Sequence, residues 1–186
     1  GEGIGPMALR LGDGRRIYET TGDDYRRLGG RDFPMWYETA DDIDRWNRIM
    51  ADAVDFYVLN QSFDAGGDTV VYGTYLYRYG SVESAAKRMQ RHLDQTEPDP
   101  GFAHYEILDL GTFGDESLAS LETTADGSIA MAAVTARVGT LVVQMLVQTD
   151  SPPSPATLKA LMAAQIACIG NGGCTRAISY PARKAA

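Results

Sequence analysis

Apolar residues recur at two different periods along this chain, and the switches between them predict the order of elements. Across residues 39–54, Ile43, Trp46, Met50 and Val54 fall three to four positions apart, which places them on one side of an amphipathic helix. Thr39 with Asp42 three residues later approximates a capping box, and Asp41, Asp42 and Asp44 complement the positive end of the helix dipole. The period then drops to two. Residues 56–63 and 69–79 predict a pair of strands joined through Asp64-Ala65-Gly66-Gly67-Asp68, a segment rich in turn formers. In the second strand Val71, Tyr75, Tyr77 and Tyr79 share one face, and Val70, Tyr72, Leu76 and Arg78 share the other. Both faces carry apolar groups, which predicts an interior position in the sheet.

Helical spacing returns after Gly80. Ser81 is a good N-cap, Val82, Ala85, Ala86, Met89 and Leu93 form the buried stripe, and Glu83 and Lys87 are spaced for an exposed ion pair. Pro98 and Pro100 exclude helix beyond Glu97. Further strands are predicted at 105–110, 117–124, 128–137 and 141–149, broken by Gly114-Asp115-Glu116, Asp126-Gly127 and Gly139-Thr140. Gly139 at the first central position of a two-residue connection suits a type II′ hairpin turn. Ser154 and Pro155 then supply the cap and first position of a final helix, with Leu158, Leu161, Met162, Ile166 and Ile169 facing the core.

Short connections between strands favour antiparallel pairing. The expected fold is α+β: a single antiparallel sheet of about five or six strands flanked by about three helices that cover one of its faces. Residues 1–38, rich in Gly, Arg and Asp and without clear periodicity, are expected to form an irregular N-terminal arm. Residues 39–178 form the domain, and 179–186 a disordered basic tail.

Composition fits one core, since 44% of 186 residues are hydrophobic. The balance of 25 acidic against 17 basic side chains gives a net charge of −8, so the net field repels nucleic acid and anionic lipid and offers no electrostatic gain on binding either; DNA and RNA are not expected partners. No run approaches the roughly 18 consecutive apolar residues of a membrane helix, so no transmembrane segment is expected in this chain. Its opening glycine, in place of an initiator methionine, leads to the expectation of a mature or trimmed chain and leaves open whether a signal peptide or lipid-anchoring segment preceded it.

The only two cysteines, Cys168 and Cys174, lie six residues apart at the end of the last predicted helix and far from other metal-type ligands. A disulfide is favoured over a pair of reduced thiols, and with it export to an oxidising compartment over the cytoplasm. Closing so short a loop contributes about 2–3 kcal/mol.

Candidate chemistry is sparse. His92 and His104 are the only histidines and neither sits in a zinc motif, so no metal site and no cofactor are expected. Asp41, Asp42 and Asp44 belong to a helix start, and Asp115-Glu116 to a turn. No Gly-x-Ser-x-Gly is present, and Gly1, Gly3 and Gly5 precede no strand that would make a nucleotide loop. Asn60-Gln61-Ser62 matches a glycosylation sequon inside a predicted strand. The aromatic set Tyr72, Tyr75, Tyr77, Tyr79 and Tyr105 is the remaining candidate, because aromatic rings beside a helix can bind apolar ligands while their hydroxyls orient them. Tyr72, Tyr75, Tyr77 and Tyr105, together with Arg137, are the candidate ligand-binding residues, with no catalytic residue assigned.

Four segments, residues 70–78, residues 81–93, Phe113-Gly114-Asp115-Glu116-Ser117 and residues 135–143, occur in an order that resembles actinobacterial extracytoplasmic lipoproteins and sensor-like domains. These include the extracellular sensor domains of mycobacterial serine/threonine kinases. The resemblance covers residues 56–174 and departs from the kinase sensors in offering one cysteine pair where they carry more. It implies an exported, secreted or lipid-anchored, non-enzymatic domain with a ligand cleft between sheet and helix. The expected partner is a small apolar or amphipathic ligand, or a protein. Two other readings stand beside it: a hydrolytic enzyme using Asp115, Glu116 or His104, and a protein-interaction module using an exposed sheet face. A cavity lined by Tyr75 and Tyr77 supports binding, whereas His104 within hydrogen-bond reach of a buried carboxylate supports acid–base chemistry.

Overall fold

The computed structural model describes residues 3–22 and 52–181. They form seven strands, β1 (Arg15–Thr21), β2 (Ala53–Ala65), β3 (Asp68–Tyr79), β4 (His104–Leu108), β5 (Glu116–Thr123), β6 (Ala130–Val138) and β7 (Leu141–Thr149). Two helices accompany them, α1 (Val82–Leu93) and α2 (Pro155–Gly170). All strand pairs are antiparallel, in the order β1-β2-β3-β7-β6-β5-β4. After β3 the chain crosses the sheet through α1 to the far edge. It then returns as a meander, so that β7 lies against β3 and closes the middle of the sheet.

The α+β class and single antiparallel sheet are as expected, but the strand count is seven where five or six were predicted. The extra strand is β1, drawn from the stretch read as an irregular arm. Its burial alternates weakly and its first residues are charged, as suits an edge strand, so no period-two signal marks it. The predicted helix over 39–54 lies outside the described residues up to position 51. Its last part is corrected, since Ala53 and Val54 begin β2. The predicted tail lies outside the described residues from position 182 onward.

The helices do not share one face of the sheet, which corrects the expectation. Ala85 of α1 packs with Phe56, Val58, Tyr77, Tyr79 and Val142, whereas Leu158, Leu161 and Met162 of α2 pack with Leu59, Leu76, Val143 and Met145 on the other side. β3 and β7 feed apolar side chains into both layers, and that is why their sequences are apolar on both faces. Each fully buried Leu or Met of α2 contributes about 1.5–3 kcal/mol by removing its apolar surface from water.

Local signals place the helices. Ser81 Oγ accepts the Ser84 amide hydrogen at 3.1 Å, and Ser154 Oγ accepts that of Thr157 at 3.1 Å. Gly139 takes a φ of 58° in the two-residue turn between Val138 and Leu141, as the type II′ geometry requires.

The segment from Ile4 to Leu11 fills the α2 layer with irregular backbone, and buried glutamines satisfy its polar groups. Gln165, fully buried on α2, donates from Nε2 to Met7 O at 2.7 Å and accepts from Leu9 N at 2.8 Å. Gln61 accepts from Leu11 N at 2.9 Å and donates to Leu11 O at 2.9 Å and Gly14 O at 3.1 Å. Cys168 and Cys174 are disulfide-bonded, and the loop they close seats on the same segment through Cys174 N donating to Pro6 O at 2.8 Å.

Candidate ligand-binding site

The α1 face of the sheet concentrates aromatic and polar side chains, because the register stacks them in adjoining rows. One row runs Phe56, Tyr77, Val142, Arg137, Glu116, and the next Val58, Tyr75, Gln144, Thr135, Leu118. A third contains Asn60, Gly73, Leu146, Ala133, Ser120 and Ile107, and a fourth ends Met131, Glu122, Tyr105. Of the five candidates, Tyr75, Tyr77, Tyr105 and Arg137 therefore share this face. Tyr72 does not.

Tyr72 is fully buried in the α2 layer, where its hydroxyl accepts from Thr74 Oγ1 at 2.7 Å and donates to Leu9 O at 3.4 Å. Burial pushes its phenol upward in pKa, with the Thr74 hydrogen bond acting the other way. Arg137 braces two turns: Nε donates to Glu116 at 2.8 Å, and Nη1 donates to Asp115 at 3.1 Å and Gly139 O at 3.2 Å. Asp115 in turn accepts from Gly139 N at 2.7 Å. Tyr77 is buried and Tyr75 is half-buried, its hydroxyl 3.3 Å from Asn60 Oδ1. Gly73 is required between them, since a Cβ there would come within 2.6 Å of Asn60 Oδ1 and 2.8 Å of the Tyr75 ring. Asn60 is 3% exposed, so the sequon asparagine is sheltered, and its Nδ2 has no hydrogen-bond partner.

At the α1 end of this face a cavity of about 270 Å³ opens, lined among the described residues by Asp52, Tyr79, Ser84, Lys87, Arg88 and Arg91. Ser84, Lys87, Arg88 and Arg91 recur at helical spacing, so they form a polar stripe beside the buried pair Ala85 and Met89. Tyr79 is 3% exposed, and its hydroxyl has no hydrogen-bond partner. Burial pushes its phenol up to about 12, and the charges of Arg88 and Arg91 act downward against that of Asp52. Arg88 Nε is likewise buried without a partner. Of these cavity residues only Tyr79 belonged to the aromatic set read from the sequence. The signal was present in the basic stripe of α1, but its meeting with Tyr79 depends on the turn at Gly80-Ser81.

Where the other edge of the face meets the loop after α1, Glu122 accepts from Asp99 N at 2.7 Å and from Gln95 Nε2 at 3.4 Å. Burial raises the Glu122 carboxyl to about 7, the Asp99 amide works downward, and the Asp99 carboxylate reinforces the rise. The residues named for hydrolysis are not assembled. His104 is exposed at the edge and pairs with Thr123, at the opposite end of β5 from Glu116, a separation of roughly 23 Å at ordinary strand rise. Asp115 and Glu116 are bound to Arg137.

A larger cavity of about 360 Å³ lies by the Pro152-Pro153 loop and Tyr180, but its polar walls pair with each other. Ser151 donates to Asp68 at 2.6 Å and Thr157 to Pro181 O at 3.0 Å. Among the described residues, no group of three or more His, Cys, Asp or Glu could hold a metal ion, and no helix is long and apolar enough to cross a membrane.

The structure thus defines an α+β domain with a helix on each side of one antiparallel sheet and a disulfide at the end of the last helix. The extracellular domain of PknH from Mycobacterium tuberculosis is similar at 11% sequence identity and a TM-score of 0.48, over 88% of this chain and 80% of that one. No protein-family model and no curated protein matches the chain.

Proposed function

We propose that this chain is an exported, non-enzymatic, sensor-like domain that takes a small apolar or amphipathic ligand on the α1 face of its sheet. The observation that carries this reading is the cavity at Tyr79, which adjoins the aromatic rows of that face and leaves buried polar atoms without partners. Buried polar groups in a finished core are paired, as Gln61 and Gln165 are on the opposite face, so unmet ones beside a cavity are what a ligand site displays. The disulfide supports export, because such bonds persist where the surroundings are oxidising.

The test uses a neutral amphiphile, octyl glucoside below its micelle concentration, followed by thermal shift and by the fluorescence of the face's tyrosines. Binding should occur in the wild type and weaken about tenfold or more in Ser84→Trp, whose indole fills the cavity beside Tyr79 from a half-exposed position on α1. Equal binding by both proteins would remove the reading.

A further inference from the structure

We propose that the cavity between the end of β3 and the polar stripe of α1 is a phosphate-binding site, built by Arg88, Arg91 and Lys87 over the hydroxyl of Tyr79. The proposal deepens the reading above, on which it rests: the α1 face would receive an amphipathic ligand whose charged group lies here.

Charge is the first argument. Three cationic side chains converge on one cavity of a chain whose net charge is −8, with Asp52 as the lone carboxylate on the described wall. Lys87 pairs with the exposed Glu83 at 3.1 Å, an interaction between two solvated side chains that competes weakly. Arg88 and Arg91 have no ion-pair partner among the described residues. Guanidinium groups present planar forks of donors that match the oxygens of phosphate, and two such forks suit a doubly charged tetrahedral group better than a singly charged one.

Unmet hydrogen-bonding capacity is the second, independent argument. Tyr79 is 3% exposed, and its buried hydroxyl reaches no acceptor. Tyr79 itself lines the cavity together with Arg88, Arg91 and Asp52. Held protonated, its hydroxyl is a donor waiting for an acceptor oxygen. Arg88 Nε, also buried, is a second such donor, and Ser84 Oγ, which accepts from Ser81 Oγ at 3.0 Å, can turn its own hydrogen to the cavity. Leaving buried donors unmet is costly, and one oxyanion would satisfy both. The volume of about 270 Å³ exceeds several times the roughly 30 Å³ that one water occupies in the liquid, and falls just below the range of drug-sized sites. It suits a phosphate with a small substituent.

The experiment is calorimetric titration of the whole chain at low ionic strength with inorganic phosphate, glycerol phosphate and acetate, and co-sedimentation with phosphatidylglycerol vesicles. Inorganic phosphate should bind more tightly than about 1 mM and weaken as salt rises, while acetate binds at least tenfold less tightly. Arg88→Gln should lose about tenfold or more in phosphate affinity. Tyr79→Phe should lose affinity while its melting temperature stays level or rises, since it deletes an unpaired buried hydroxyl. Asp52→Asn should gain affinity. Stronger binding of glycerol phosphate than of phosphate points to a soluble ester, and vesicle binding that requires Arg88 and Tyr79 points to a lipid headgroup. Both outcomes support the site. Phosphate binding that Tyr79→Phe and Arg88→Gln leave unchanged, equal binding of acetate, or vesicle binding indifferent to both residues would overturn it. If octyl glucoside still binds when phosphate does not, this site fails and the amphiphile reading stands. If phosphate binds and octyl glucoside does not, the reverse holds.

Discussion

Replacing Glu122 by glutamine removes the buried carboxyl that faces Asp99. The carboxyl is 3% exposed, and its pKa rises from the usual 4.5 to about 7 because burial disfavours the charge and the nearby Asp99 carboxylate adds to the penalty, partly relieved by the Asp99 amide. Between those two values the folded chain holds a proton that the unfolded chain has released. Stability therefore falls as pH rises through this window, and the penalty is complete above about 7. At about 1.36 kcal/mol per pH unit the full shift corresponds to about 3 kcal/mol, and screening of a carboxyl held against a loop reduces the expected loss to about 1–2 kcal/mol. Glutamine keeps the oxygen that accepts from Asp99 N at 2.7 Å and cannot ionise. Urea unfolding between about pH 5 and 8 should show the wild type weakening while Glu122→Gln stays level, with the variant the more stable at the alkaline end. Parallel curves for the two proteins would refute the assignment, because the slope would then come from other groups.

Three further outcomes follow from particular contacts. Gln165→Leu leaves Met7 O and Leu9 N buried without their side-chain partner, and should cost about 2–4 kcal/mol in urea unfolding; an unchanged midpoint would show that the segment is not clamped there. Gly114→Ala would bring Cβ within 2.5 Å of Arg137 O at a φ of 62° and should cost more than about 3 kcal/mol, whereas Gly127→Ala, at a φ of 70° in open space, should cost about 1–2 kcal/mol; equal losses would dismiss the clash. The protein unfolded without reductant should expose no free thiol, and the double change of Cys168 and Cys174 to serine should cost about 2–3 kcal/mol; two titratable thiols in the untreated protein would remove the argument for export.

What could be read in the sequence was whatever depends on neighbours in the chain. The caps Ser81 and Ser154, the Gly139 turn and the alternation of β3 each involve residues a few positions apart, and each is present. The same alternation separates Tyr72 from Tyr75 and Tyr77, so no single site could use all three. What depends on distant partners was not legible. Gln165 reads as a polar break in the stripe of α2, yet it is fully buried because its partners are the backbone groups of Met7 and Leu9, more than 150 residues away. β1 gave no period-two signal because it pairs on one side only, against β2. Arg137 sits in a segment that carried the family resemblance, and its bonds to Asp115, Glu116 and Gly139 show a turn brace.

The two layers of the molecule handle buried polarity in opposite ways, and that contrast is the strongest argument for where function lies. On the α2 side every device closes a gap: glutamine side chains meet irregular backbone, the Tyr72 and Thr74 hydroxyls bond to each other, and the disulfide loop docks on Pro6. On the α1 side Asn60 Nδ2, the Tyr79 hydroxyl and Arg88 Nε stay unmet, and burial raises the Glu122 carboxyl to about 7. A core under selection for stability alone gains by replacing such groups with apolar ones of similar shape, because an unpaired buried donor costs about 1–3 kcal/mol. Tyr79→Phe is the simplest such replacement and needs one atom removed. Retaining tyrosine beside three cations makes sense where the hydroxyl meets an acceptor that arrives from outside the fold.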